Sequence, residues 1–150
     1  MINLDAINLS ILSELERDGR ITNLDLAGRV GLSASACLRR VQELERSGVI
    51  KGYRAVLDRA KMGAEFTIFV MVGLSAHLRK DAQAFERAMT ASPQVRECHN
   101  ITGAVEYLLR VEVATLAAYK DFHSNVLGTL SQVSSITSYI CLGSPKDARG

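Results

Sequence analysis

No apolar run in this 150-residue sequence approaches the roughly eighteen residues that a membrane-crossing helix requires. The opening MINLDAINLS also lacks the basic-then-apolar pattern of a secretory signal. The expected setting is the cytoplasm, with no membrane partner. Cysteine is scarce and unpatterned: Cys37, Cys98 and Cys141 are odd in number, far apart and free of any C-x-x-C spacing. That argues against a disulfide framework and a zinc site, and leaves reduced, buried thiols as the expectation. Catalytic signatures are missing too. There is no glycine-rich phosphate loop and no G-x-S-x-G elbow. Cys98 and His99 are neighbours on an expected strand and so point to opposite faces, and His77 and His123 have no Asp, Glu or Cys at ligand spacing. No enzyme activity, metal or cofactor is expected.

What is present is a hydrophobic content of 47% in a chain long enough for one good core or two small ones, with a net charge of only +2. So small a net charge does not announce a nucleic-acid binder, but its distribution is uneven. Between Ser33 and Lys61 seven basic residues (Arg39, Arg40, Arg46, Lys51, Arg54, Arg59, Lys61) face three acidic ones, leaving the remainder of the chain net negative.

The first 48 residues predict three short helices. Asp5 can cap a helix carrying Ile7, Ile11, Leu12 and Leu15 on one face, with Gly19 after its end. Thr22 and Asp25 stand three apart, like a capping box with a shortened acid, and open a second helix whose inner residues are Leu26, Ala27 and Val30. After Gly31 and Leu32, Ser33 can cap a third helix that turns Cys37, Leu38, Val41 and Leu44 inward and ends at Gly48. Helix, tight glycine turn, helix is the helix-turn-helix pattern, with Ala27 and Gly31 supplying the small residue and the turn that a steep crossing needs.

The stretch LSASACLRRVQELE holds a cysteine beside two arginines, which fits either an activated thiol or a helix lying on an anion. The spacing of Cys37, Val41 and Leu44 favours an inward thiol acting as a small apolar group. Ser33 and Ser35, on a first turn of little bulk, can approach a phosphate closely. Arg39, Arg40 and Gln42 extend that face with forks suited to guanine, phosphate or adenine, and Lys51 adds a further cation, so double-stranded DNA is the expected partner. The plain alternative is a solvated basic face on an ordinary helical bundle.

After Gly48 the periodicity changes. GVIKGYRAVLD reads as a strand or linker, with a boundary near residues 58 to 64. The pattern then predicts a strand over Phe66 to Leu74, apolar on both faces, and a helix from about Asp81 to Ala91 with Ala82, Phe85 and Met89 inward. Strands over Val95 to Thr102 and Tyr107 to Val113 follow. Next come a helix capped by Thr115 with Leu116, Tyr119, Phe122 and Val126 inward, and a last strand over Val133 to Leu142. This order, βαββαβ, matches a ferredoxin-like sheet with both helices on one face. Gln94-Val95 and Gln132-Val133 open a strand at the same place in each half, as in a weak repeat. A first strand apolar on both sides implies that its second face meets another sheet, most simply a partner subunit's, and a dimer would pair two reading helices as palindromic DNA requires.

The stretch from DGRITNLDLAGRVGLSASACLRRVQELERSGVIKGYRAVLD, with ITGAVEYLLRVEV further on, resembles the Lrp/AsnC family of feast/famine transcription regulators over nearly the whole chain. The resemblance implies a winged-helix-like helix-turn-helix domain (1–48), a linker strand or hinge (49–64) and a ferredoxin-like effector and dimerisation domain (65–150). It implies a homodimer, which in the family often assembles further into an octamer of four dimers, with amino acids bound where dimers meet.

The effector turn departs from the family's usual Thr-Gly-Asp-x-Asp. It reads Thr102-Gly103-Ala104-Val105-Glu106, with the first acid lost and the second lengthened. A glycine turn with exposed N–H groups suits a carboxylate and a nearby Glu106 suits an ammonium, which together fit an α-amino acid. Ser138, where the family often has Thr or Ser, is the next candidate. On residue chemistry alone, Gly103 reads first as a plain hairpin turn and Glu106 as a solvated strand end. The expected protein is a sequence-specific DNA-binding regulator responding to an amino acid. Its rival is an effector-independent DNA-organising protein of the same fold.

Overall fold

The computed structural model describes residues 4–147 and divides the chain into two compact units, the first ending at Val56 and the second beginning at Leu57. In the first unit, α1 (Ala6–Arg17), α2 (Asn23–Val30) and α3 (Ala34–Arg46) start where oxygen-bearing side chains cap them. Asp5 Oδ1 accepts from the Asn8 N–H at 2.8 Å, Thr22 Oγ1 from Asp25 N–H at 3.1 Å, and Ser33 Oγ from Ala36 N–H at 3.3 Å. Each cap satisfies one of the amides a helix start leaves open. Gly31 closes α2 in the left-handed conformation (φ 70°), and the chain turns directly into α3. Gly19 does not play that part for α1. The helix ends because Asp18 takes an extended backbone; Gly19 is not in the left-handed region, and a Cβ there would meet Tyr53 Cδ1 at 3.5 Å, an ordinary contact.

Ile11, Leu26, Ala27, Cys37 and Leu44 form the buried centre of this unit, ringed by Ile7, Leu15, Val30, Val41 and Ile50. Leu38, expected inward, is 45% exposed. It follows Cys37 by one position, about 100° around the helix, and so falls outside the stripe of Cys37, Val41 and Leu44.

Residues 51–65 carry no strand. A strand needs a neighbour to pair with, and among the described residues this stretch has none. It is an irregular connector that ends in a turn, where Gly63 N–H donates to the Ala60 carbonyl and Ala64 N–H to that of Arg59.

The second unit is a four-stranded antiparallel sheet in the order β2-β3-β1-β4, built from β1 (Phe66–Leu74), β2 (Val95–Asn100), β3 (Tyr107–Val113) and β4 (Val133–Ile140). Helices α4 (Arg79–Ala91) and α5 (Leu116–Asn125) connect them, with a short 3₁₀ turn at Leu127–Thr129. This is the ferredoxin-like arrangement. The repeat is visible in its hydrogen bonds: the Gln94 carbonyl accepts from Glu112 N–H at 2.9 Å and the Gln132 carbonyl from Ser75 N–H at 2.8 Å, each at the point where a helix hands over to a strand.

Ile68, Val70 and Val72 alternate along β1 and meet Tyr107, Leu109 and Val111 of β3 in one core, which Phe85 and Met89 of α4 and Phe122 of α5 complete. The helices therefore share one face of the sheet. Leu116, expected inward, is 46% exposed at the first position of α5. On the opposite face Tyr139, Phe69 and Arg110 stand in line across β4, β1 and β3, and Met71 stands beside Leu108. Glu112 is also on that face, buried, and gathers Arg110 (2.6 Å), Arg59 (2.8 Å) and Arg96 (3.7 Å).

Candidate nucleic-acid interface and effector site

Helix α3 has two sides of different chemistry. Cys37 and Leu44 are fully buried, and burial pushes the Cys37 thiol above its ordinary range, so it is inert packing rather than a reactive group. Ala34, Ser35, Leu38, Arg39, Gln42, Glu45 and Arg46 are exposed. Arg39 and Gln42 have no hydrogen-bond or ion-pair partner among the described residues. Arg46 is different: its guanidinium forks onto Glu43 at 2.7 and 3.0 Å. The start of α3 is fixed against α2 by Asn23 Nδ2, which donates to the Ala34 carbonyl at 2.8 Å. The hydroxyls of Ser33 and Ser35 lie 3.3 Å apart. Ser33 is thus partly spent on the cap, while Ser35 stands on the exposed turn.

Arg40, expected on the same face as Arg39, is turned the other way. Its Nη1 donates to Asp5 Oδ2 at 2.8 Å, Asp5 Oδ1 at 3.0 Å and Asn8 Oδ1 at 3.0 Å. The reason is helical: Arg40 borders the buried stripe on the side remote from Ser35 and Gln42, where the start of α1 lies. Asp5, accepting first from Asn8 N–H and then from Arg40, has its carboxyl held below the ordinary value. A second ion pair, Arg29 Nη1 to Glu14 Oε2 at 2.7 Å, ties α2 to α1 and lowers the Glu14 pKa in the same way. Lys51, at the exit of the helical unit, is exposed. Sequence reading missed the Arg40 contact because it joins residues 35 positions apart; the one available signal was a charged cap at Asp5.

In the second unit, Thr102, Gly103 and Ala104 form an exposed turn between β2 and β3, with Gly103 at φ 140°. Glu106 is engaged internally. Its Oε2 accepts from Leu74 N–H at 2.7 Å, where β1 shifts register, and its Oε1 lies 3.5 Å from His77 Nδ1. It is therefore a clamp on the end of β1 rather than a solvated strand end, with one oxygen still turned to the exposed His77. Ser138 is not brought to this turn: it pairs with Val70 from β4, with β1 between, and its hydroxyl meets that of Tyr119 of α5. Among the described residues no group of three or more His, Cys, Asp or Glu is placed to hold a metal, and no helix is long and apolar enough to cross a membrane.

Residues 4–51 match the family described as winged helix-turn-helix DNA-binding, and residues 67–150 match the Lrp/AsnC ligand binding domain. The chain is 41% identical to the leucine-responsive regulatory protein of Rhizobium meliloti over 98% of its own length and 94% of the relative's. It is 36% identical to the Escherichia coli K12 protein of the same name, over 97% and 89%. Among solved structures it is similar to a transcriptional regulator of Neisseria meningitidis in complex with L-Met, with a TM-score of 0.92, 30% identity and coverage of 97% and 94%. An AsnC family regulator of Agrobacterium tumefaciens gives a TM-score of 0.90 at 32% identity, covering 95% and 93%.

Proposed function

This chain belongs to the Lrp/AsnC family of DNA-binding transcription regulators, and from that premise we propose that it reads its operator with the Ser35, Arg39 and Gln42 face of α3 and answers to an amino acid bound at the second unit. The observation that carries the reading is the free face of α3. Exposed side chains able to fork onto bases or phosphates stand together without internal partners, on a helix whose start is capped and pinned. Ser33 and Lys51 serve as flanking phosphate contacts. The amino-acid effector is supported by the L-Met complex of the Neisseria relative and by the exposed glycine turn at 102–104 beside Glu106. In this reading the protein is a cytoplasmic homodimer, with dimers assembling further, and carries no catalytic activity or cofactor.

The test is a selection on random duplex DNA with the purified full chain, followed by titration of the selected site with each of the twenty amino acids. A two-fold symmetric motif whose affinity shifts with one or a few amino acids is expected. No enriched motif would overturn the operator reading. A second reading, an effector-independent DNA-organising protein, is favoured by one observation: Glu106 is already bonded to the Leu74 amide. A motif indifferent to all twenty amino acids, with no thermal shift, would decide for it.

A further inference from the structure

We propose that Arg40 and Asp5 are positioning residues for DNA recognition: together they pin the rotation of α3 against the start of α1, and Arg40 governs operator discrimination without touching DNA. The proposal rests on the reading of α3 as the groove helix. Three hydrogen bonds from one nitrogen, Arg40 Nη1, reach Asp5 Oδ1 and Oδ2 and Asn8 Oδ1 at 2.8 to 3.0 Å. Asp5 is already the cap of α1, and Asn8 is buried in its first turn, so the guanidinium is held by a site that the fold itself fixes.

The need for a pin follows from what else holds α3. Cys37, Val41 and Leu44 contact the core through apolar groups, and such contacts are non-directional. They decide which stripe faces inward but resist small rotations weakly. Charge-assisted hydrogen bonds are directional and short. A rotation of α3 by a fraction of a turn would carry Arg39 and Gln42 across a base pair's width, so the directional contact on the far side of the helix sets where the reading side chains fall. Arg40 is 29% and Asp5 37% exposed in their side chains, so the pair is half-shielded and keeps its geometry better than a fully solvated surface pair.

The experiment uses the full chain and measures affinity for the selected operator and for an unrelated duplex across a salt series. Asp5→Asn keeps an oxygen to cap α1 and removes the charge; Arg40→Met keeps the apolar stem and removes every donor. Both variants should fold, with helical circular dichroism as wild type at the assay temperature. Both should lose about tenfold in the ratio of operator to non-specific affinity, the scale of one charge-assisted hydrogen bond. Non-specific affinity and the salt slope should stay unchanged. Arg40→Gln supplies the decisive control: a slope smaller by about 0.9 would make Arg40 a phosphate contact and overturn the proposal. Discrimination equal to wild type in both pin variants, while Arg39→Ala weakens the operator, would sink the pin alone. If Arg39→Ala also binds the operator as wild type, the groove assignment of α3 fails and the pin fails with it.

Discussion

Arg39 and Arg40 are neighbours in the chain and partners of different surroundings: Arg39 is exposed and unpaired among the described residues, while Arg40 closes on Asp5 at 2.8 Å. Successive helix residues stand about 100° apart, and here the doublet divides between the exposed face of α3 and the start of α1. Arg39→Ala should therefore weaken operator binding and, if the side chain forks onto a base, relax discrimination at one position by about 1 to 3 kcal/mol. Quantitative binding to a panel of single-base operator variants reads this. A uniform loss across the panel with a shallower salt slope would assign Arg39 to a phosphate instead.

The sequence carried the local half of this structure. Caps at Asp5, Thr22, Ser33 and Thr115 were legible because a cap is a contact between residues two or three apart. The alternation of Ile68, Val70 and Val72 was legible because strand period is written in adjacent residues. Leu38 and Leu116 were misplaced because both sit at the rim of an apolar stripe, where the limit of burial depends on what packs opposite. Glu106 was read as a possible ammonium partner. Its bond to the Leu74 amide, 32 positions away, depends on a register shift at Gly73 and Leu74 that no local pattern announces.

That bond changes what substitutions at Glu106 report. Glu106→Ala leaves the buried Leu74 amide without its acceptor and should cost about 1 to 3 kcal/mol of stability. A lost effector response in that variant would mix a local collapse with a lost ligand contact. Glu106→Gln keeps an oxygen for Leu74 and removes the charge an ammonium needs, so its stability should stay near wild type while the amino-acid shift in operator affinity disappears. Thermal melts alongside the titration separate the two effects; a Glu106→Gln variant that responds like wild type would remove Glu106 from the effector site.

Strong acid should loosen the first unit. Asp5 is held below its ordinary value of 3.8 by Asn8 N–H and then Arg40, and Glu14 below 4.5 by Arg29. The folded state thus binds fewer protons than the unfolded chain in this range. The stability the two carboxylates contribute is fully present above their ordinary values and is lost as pH falls through the lowered ones. Melting temperature followed from about pH 5 down to about pH 2 should decline in wild type and decline less steeply in Asp5→Asn with Glu14→Gln. Parallel curves for the two proteins would show that these pairs do not set the acid limit.

The helix-free face of the sheet supplies the last prediction. Phe69, Met71 and Leu108 are only partly buried there, and Tyr139 is 53% exposed, although β1 runs through the middle of the sheet and its other face is the core. The apolar residues on the second face of an antiparallel sheet gain by being covered, and a second copy would cover them symmetrically. If a second copy covers this face, a carboxylate at Leu108 would be taken out of water beside Met71, and its desolvation would oppose the contact. Leu108→Glu should therefore sediment as a monomer that keeps its helical and sheet signals, because Leu108 is outside the cluster that holds the fold. Operator affinity should fall to the level of a single half-site, since one reading helix then replaces two. An unchanged sedimentation coefficient in this variant would rule this face out as a contact between copies.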